Sequence, residues 1–267
     1  MMGFDYLIER LKESQKVDGL LFMGSTGRST MNAHSDRDLL IVLNECDLNI
    51  TNGIIFCDDI LGDLVFTTRQ QVEELISFDL SLISPSDSRA NFFHWVPSGI
   101  IVLDRSGCLE SLQKALQEHG PMPKLTEGES NRRSDKAIYN LAQTRRMVGS
   151  TDAVYQQAID LRMLRQLSDL MVDYFHLRGL PWRGEKEAIR HWQSVDPGYM
   201  DLFMRCYWER SQPERVRFYA ELVRATVRPT GFWWNESIPN FVLSPPGEMT
   251  RENLESAQLF WRALMSG

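Results

Sequence analysis

The pattern of the chain changes at a stretch rich in proline, glycine and charge, PMPKLTEGESNRRSD, which covers residues 121–135. Before it, short apolar strands alternate with amphipathic helices, an order typical of an α/β (α+β) domain with a mixed sheet. After it, the periodicity is almost wholly helical, as in an all-α helical bundle. The sequence therefore predicts a first domain in residues 1–120, a linker in 121–135 and a helical domain in 136–267.

Two stretches of the first domain are predicted to place acidic residues on strands. DRDLLIVL is predicted to be a buried strand, and GIIFCDDILGDLVFTT to be two strands joined at Leu61-Gly62. In that arrangement Asp63 begins the later strand, and a helix starts near Thr68.

The composition indicates a soluble globular protein, with 43% hydrophobic and 24% charged residues. No apolar stretch approaches the roughly 18 residues that a membrane helix needs, and the charged N-terminus does not resemble a signal peptide. The four cysteines lack metal-ligand spacing, so we expect reduced thiols and a cytoplasmic location. Acidic residues outnumber basic ones two to one in the first 120 residues. This balance disfavours a nucleic-acid partner and suits divalent cations.

The segment GSTGRSTMNAHSDRDLLIVL, residues 24–43, begins with small residues after an apolar run, as phosphate-binding loops do. A P-loop is excluded, because the position five residues after Gly24 is Ser29 and no lysine follows it. The dinucleotide-binding fingerprint needs three glycines, and this segment has only Gly24 and Gly27.

The segment also carries two aspartates, Asp36 and Asp38, separated by one residue. In a strand, such residues point to the same face, with Cα atoms about 6–7 Å apart. Two carboxylates on one face repel each other unless a cation lies between them. Taken alone, such a pair is more often a solvated strand start with a polar turn. The upstream Gly24-Ser25 and the later Asp63 favour a metal site.

These residues, GS followed by SDRDLLIVL with a third acidic residue in GDLVF, resemble the signature of the DNA polymerase β-like nucleotidyltransferase superfamily. DLVFTTRQQVEELI and GIIVLDRSGCLESL are similar to the later elements of that domain in its antibiotic-modifying members. The resemblance covers residues 4–118 and implies that residues 1–120 form a nucleotidyltransferase catalytic domain. Arg37 stands where an apolar residue is usual, on the side of the strand away from the carboxylates.

The resemblance implies two Mg²⁺ ions and an NTP, ATP in the first instance, as cofactor and co-substrate. Asp36, Asp38 and Asp63 would be the metal ligands and catalytic residues. The resemblance also implies nucleotide-binding residues at Gly24 and Ser25, which would hold the phosphates.

Other groups are expected to assist. Arg28 could neutralise the phosphates, although a loop arginine is as often solvated. IDLRMLRQLSDLMVDYFHLRGLPWRGEKEAIRHW is similar to the helical domain of streptomycin/spectinomycin adenylyltransferases, in which a helix-start lysine contacts ATP. Lys186 falls at that position, with a plain surface lysine as the alternative. Asp160 is in register with Leu164 and Leu167, on the apolar side of its helix, which indicates either a catalytic or substrate-binding role or a buried pair with an arginine.

The leading hypothesis is transfer of a nucleotide to a hydroxyl of a small acceptor, an aminoglycoside- or lincosamide-type antibiotic, with release of pyrophosphate. The alternatives are a protein or RNA acceptor, or a non-catalytic nucleotide-binding or antitoxin-type module. The expected partners are an NTP and the acceptor, with no membrane and with nucleic acid disfavoured. The sequence leaves homo-oligomerisation open.

Overall fold

A computed structural model describes residues 3–29, 31–32, 34–46, 50–85, 87–235, 237–243 and 248–266. The chain forms two compact units, residues 1–123 and residues 124–267. The first is built on a mixed sheet and the second is helical, so the predicted fold class is confirmed.

The first unit contains a five-stranded mixed sheet with the order β3-β4-β2-β1-β5. Its strands are β1 (Val17–Phe22), β2 (Arg37–Leu43), β3 (Asn52–Cys57), β4 (Ile60–Thr68) and β5 (Ile100–Asp104). Strands β2 and β4 run parallel, and the other neighbours are antiparallel. The parallel pair at the centre brings the start of β2 and the middle of β4 to the same place.

Helices cover both faces of this sheet. They are α1 (Phe4–Glu13), α2 (Arg69–Ser77), α3 (Phe92–Trp95) and α4 (Cys108–His119). Ile8 of α1 packs with Leu39 and Ile41 on one face, whereas α2, α3 and α4 pack against the face that carries Leu40 and Val42. Successive β2 residues alternate between two buried layers, as expected for a central strand.

The hairpin of β3 and β4 differs from the predicted one. Its two-residue turn is Asp58-Asp59, with φ of 53° and 61°, and not Leu61-Gly62. Aspartate tolerates this left-handed conformation, which a two-residue hairpin turn requires. Asp63 therefore lies within β4 and does not begin the strand.

The second unit is composed of helices in the described residues. They are α5 (Glu127–Arg145), α6 (Ala153–His176), α7 (Glu185–Val195), α8 (Pro197–Trp208), α9 (Gln212–Val227) and α10 (Arg251–Ser266). Its core contains fully buried aromatic side chains, Trp192 and Tyr219 among them. The other aromatic side chains of this unit divide between the core and the surface, where Trp208 and Phe260 are exposed.

The predicted linker is only partly correct. Helix α5 begins at Glu127, so the second half of residues 121–135 is helical. The side chain of Thr126 accepts a hydrogen bond from the N–H of Glu129, and the Glu129 side chain accepts one from the N–H of Thr126. This capping box fixes the start of the helix inside the polar stretch.

Across the part of the chain that the structure describes, no helix combines the length and apolar character needed to cross a bilayer.

Candidate metal centre

Three carboxylates meet where β2 and β4 run side by side. Asp38 lies opposite Asp63 in the parallel pairing, and Asp36 comes just before β2 begins. One oxygen from each side chain lies within 4.8 Å of the other two. The two-residue spacing places Asp36 and Asp38 on one face, and the register of the sheet brings Asp63 to that face. We call this set the carboxylate group.

A tight turn after β1 lies against the carboxylate group. The N–H of Met23 donates to the carbonyl of Asp38 at 3.0 Å, which holds the turn to β2. Gly24 has φ of +55°, and a Cβ added there would lie 2.6 Å from Oδ2 of Asp38. Glycine alone satisfies both the backbone conformation and this close approach. The structure therefore brings Gly24 together with the carboxylate group, as the sequence pattern suggested.

Thr26 is a residue of this turn that sequence reasoning missed. It is only 1% exposed, and its Oγ1 accepts a hydrogen bond from the N–H of Asp38 at 2.8 Å. Its own N–H donates to the carbonyl of Met23 at 3.0 Å. Thr26 thus fastens the turn to the strand that carries Asp38. A threonine in a polar loop gives no sequence signal of such burial, because most threonines are exposed.

Ser25 and Arg28 lie in the same turn and are half-buried. The N–H of Arg28 donates to the carbonyl of Ser25 at 3.1 Å, which tightens the turn. Both residues predicted to face phosphate therefore follow Gly24 closely, on the loop that borders the carboxylate group.

Arg37 points away from the carboxylate group, as the alternation of a strand predicts. Its guanidinium lies 4.5 Å from the ring centroid of Phe4 and pairs with Oδ2 of Asp58 at 3.0 Å. The same carboxylate accepts the N–H of Phe4 at 3.1 Å. Together the Phe4 N–H and Arg37 lower the pKa of Asp58. Arg37 is therefore a structural residue that ties the hairpin turn to α1.

The donor set of the carboxylate group fits a hard divalent cation. Carboxylate oxygens are the ligands that Mg²⁺ and Ca²⁺ prefer, and a cation would offset the repulsion among three negative charges. Asp36 and Asp38 are half-buried, whereas Asp63 is exposed. The group is therefore backed by protein on one side and open to a second molecule at Asp63.

A second set of possible ligands, Asp18, Asp104 and Cys108, has a structural explanation. Oδ2 of Asp18 accepts hydrogen bonds from the Ser106 hydroxyl at 2.5 Å and from the Cys108 thiol at 3.4 Å. Oδ2 of Asp104 accepts the N–H of Glu110 in the first turn of α4 at 2.8 Å. Burial raises the pKa of Cys108 to about 11, so the thiol stays protonated. These residues anchor α4 to β1 and β5.

The expectation for Asp160 was based on a wrong helix phase. The buried stripe of α6 contains Ile159, Met163 and Leu170, and the Asp160 side chain is about half exposed. Asp160 pairs with Arg215 and also accepts a hydrogen bond from Nε2 of Gln212 at 2.9 Å. It is a surface ion pair between α6 and α9, so the reason for giving it a catalytic task is lost.

Lys186 is the second residue of α7 and is exposed. It belongs to the helical unit, whereas the carboxylate group and its turn belong to the first unit. Its position at a helix start is the one that the resemblance to the adenylyltransferases implies.

Among solved structures, a nucleotidyltransferase-like protein from Exiguobacterium sibiricum 255-15 is similar to this chain. The two share 14% sequence identity with a TM-score of 0.45, and the match covers 97% of this chain and 87% of that one. No family model and no curated protein matches the sequence.

Proposed function

We propose that the protein is a Mg²⁺-dependent nucleotidyltransferase that moves an NMP from an NTP to a hydroxyl of a small acceptor and releases pyrophosphate. One observation carries the proposal. Asp36, Asp38 and Asp63 bring their carboxylate oxygens within 4.8 Å of one another, where the neighbouring strands β2 and β4 pass a glycine turn. Such a group is suited to a metal-bound phosphate.

The chain's own residues have separate tasks in this scheme. When bound, Mg²⁺ supplies positive charge that stabilises the developing charge on the phosphoryl oxygens. Asp36 and Asp38, held by half burial, would be its shared ligands. Asp63 is the exposed member, so it both completes the site and accepts the proton of the acceptor hydroxyl. The turn at Gly24 and Ser25 orients the phosphates through backbone N–H groups.

The proposal assigns two basic residues to the nucleotide. Arg28 lies just after Ser25 in the turn and would neutralise phosphate charge. Lys186 is assigned to the phosphates on the resemblance of its helix to the adenylyltransferases. The scheme assigns no task to Asp160, because the burial that suggested one is absent and its carboxylate pairs with Arg215 at the surface.

The proposed nucleotide is ATP and the proposed acceptor is an aminoglycoside- or lincosamide-type antibiotic. The acidic balance of the first 120 residues supports an acceptor with positive charge, which the surface would attract. The reaction is expected to take place in the cytoplasm, where NTPs and Mg²⁺ are plentiful.

A thermal-shift series tests the metal-site part of the proposal. ATP and GTP are each added with and without MgCl₂ to the wild type, to Asp36→Asn and Asp38→Asn, and to the control Asp59→Asn. Asp59 is an exposed acid in a left-handed turn position that asparagine also adopts. We expect Mg²⁺-dependent stabilisation by ATP in the wild type and the control, and its loss in both site variants. Stabilisation that needs no Mg²⁺, or that survives both site substitutions, overturns the metal site.

Pyrophosphate release across a panel of antibiotics and NTPs tests the reaction, with the Asp38→Asn protein as the blank. Release with an aminoglycoside or lincosamide and ATP is the expected result. Release only with a protein or RNA added would replace the small acceptor by a macromolecular one. Nucleotide binding without release under any condition would leave a binding module and refute catalysis.

A further inference from the structure

The strand β3 lies at one end of the sheet, next to β4 alone among the described strands. Its six residues, NGIIFC, contain no charge and no proline, and its pairing with β4 is in continuous register from Asn52–Val65 to Cys57–Ile60. Exposed edges are usually protected by charged side chains, proline or bulges, because they can pair with another strand. The edge formed by β3 has none of these features.

The hydrogen-bonding groups of β3 alternate between β4 and the outside. The N–H of Phe66 donates to the carbonyl of Thr51 at 2.9 Å, so the odd-numbered residues from Thr51 onward face β4. In an antiparallel ladder the residues between them direct N–H and C=O outward. Asn52, Ile54 and Phe56 therefore present a row of backbone groups suited to one more antiparallel strand.

The same three residues place their side chains on the face of the sheet that carries Asp63, because Ile54 is the cross-strand neighbour of Asp63. Ile54 is 74% exposed and Phe56 63% exposed. Leu61, opposite Phe56 on β4, is exposed as well. An apolar patch thus lies along the outward edge, next to the carboxylate group.

We propose that β3 is a dimerisation edge, on which two copies of the chain pair their β3 strands antiparallel about a two-fold axis with Ile54 opposite Ile54. In that register Asn52 of each copy lies opposite Phe56 of the other, so all outward groups of the strand are paired. Ile54 of one copy packs on Ile54 of the second, beside Phe56. The inference does not depend on nucleotidyl transfer.

Charge directs the contact of two copies to β3. In the first 120 residues acidic residues outnumber basic ones two to one, so the first units of two copies repel each other over most of their surfaces. The strand β3 is a charge-free segment, and in the proposed register the acidic Asp58 lies opposite Ile50 of the second copy. No acid faces an acid, and the interface is self-complementary, as a two-fold contact must be. The pairing also joins the sheets of the two copies into one continuous sheet. On the face that carries Asp63, apolar side chains of both copies then lie side by side.

Sedimentation velocity of the full chain over a range of concentrations tests the proposal. We expect a dimer for the wild type and a monomer for Ile54→Lys, in which the axis would bring two ammonium groups together. Leu82→Lys is the matched control, because Leu82 is an exposed leucine of the same unit outside β3, and it should remain dimeric. A monomeric wild type, or a dimer unaffected by Ile54→Lys, overturns the assignment.

Two further variants separate a lost contact from a lost fold. Ile54→Pro removes an outward N–H that the sheet does not use, so the far-UV circular dichroism should be unchanged while the dimer is lost. Ile54→Cys places two thiols at an axis where paired Cα atoms lie about 5.5 Å apart, within reach of a disulfide. Mild oxidation should cross-link Ile54→Cys and leave Leu82→Cys monomeric on a denaturing gel. Equal cross-linking of both variants contradicts the proposed axis.

Discussion

The contact between Gly24 and Asp38 gives the sharpest test of the candidate site. In Gly24→Ala, two effects act together. An L-residue in the left-handed region costs roughly 1–2 kcal/mol, which lowers the unfolding midpoint of a unit of this size by roughly 4–8 °C. The new methyl group would also lie 2.6 Å from Oδ2 of Asp38, about 0.8 Å closer than ordinary van der Waals contact.

The close approach of the methyl group to Asp38 should change the free energy of unfolding little, but it should disrupt the carboxylate group. The atom in the way is the end of a short side chain, so the Asp38 carboxylate can rotate aside without moving β2. Rotation takes it out of the carboxylate group. We therefore expect the unfolding midpoint of Gly24→Ala to fall only by the amount that the left-handed backbone conformation explains. Its Mg²⁺-dependent stabilisation by ATP should be lost as fully as in Asp38→Asn.

Gly107 provides the matched control. It has φ of +77°, and among the described residues nothing lies within 4 Å of a Cβ added there. Gly107→Ala should have the same drop in unfolding midpoint and an unchanged response to Mg²⁺ and ATP, both measured by thermal shift. If Gly24→Ala and Gly107→Ala respond to Mg²⁺ equally, the glycine turn does not position the carboxylate group and the reasoning is wrong.

Two further predictions address the support of the site and the pH dependence of the helical unit. Thr26→Val should lower the free energy of unfolding in urea by about 1–3 kcal/mol, because it leaves the N–H of Asp38 without an acceptor. Thr26→Ser keeps the acceptor and should cost only about 0.8 kcal/mol, for the buried methyl group that it removes. Burial lowers the pKa of His176 to about 4 from 6.5, so in that window the unfolded chain binds a proton that the folded chain does not. Thermal unfolding should show stability declining as the pH falls from 6.5 to 4. The loss of stability between pH 6.5 and 4 should be smaller in His176→Gln. The control His34→Gln, at an exposed position, should lose stability as the wild type does. If His176→Gln also loses stability as the wild type does, the pH dependence does not come from His176.

The pairing of Asp36 with Asp38 could be predicted because it depends only on local geometry, once DRDLLIVL is taken as a strand. The spacing of Asp36 and Asp38 fixes a common face in any strand. The sequence does not state, however, which strand pairs with β2 or in which register. The neighbourhood of Asp38 and Asp63 follows from the parallel pairing, which depends on contacts far apart in the chain.

The hairpin turn was misplaced because two candidate turns lie close together in the sequence. Leu61-Gly62 contains the glycine, and glycine is the usual signal for a turn. The structure uses Asp58-Asp59 and keeps Gly62 within β4, where an added Cβ would lie 3.0 Å from the side chain of Ile55. The glycine marks close packing across the hairpin, which propensity alone does not distinguish from a turn.

The prediction of which side of α6 is buried was wrong for a different reason. Apolar residues occur on several sides of this helix, and Leu161 is 69% exposed although it fits an apolar ridge in the sequence. Only the packing against α5, α8 and α9 selects the buried side. By contrast, the start of α5 was present in the sequence as the capping box of Thr126 and Glu129, within a stretch whose composition alone suggested a linker.

The parallel pairing of β2 and β4 has a consequence for how the site tolerates change in chain length. Since side chains alternate along a strand, a slip of one residue in β4 would turn Asp63 to the opposite face of the sheet and bring Gly62 or Leu64 in its place. A single deletion in β4 that shifts Asp63 against β2 would therefore remove one carboxylate from the group without altering any of the three aspartates. Sequence drift can abolish the site through the length of β4 as completely as through loss of an acidic residue.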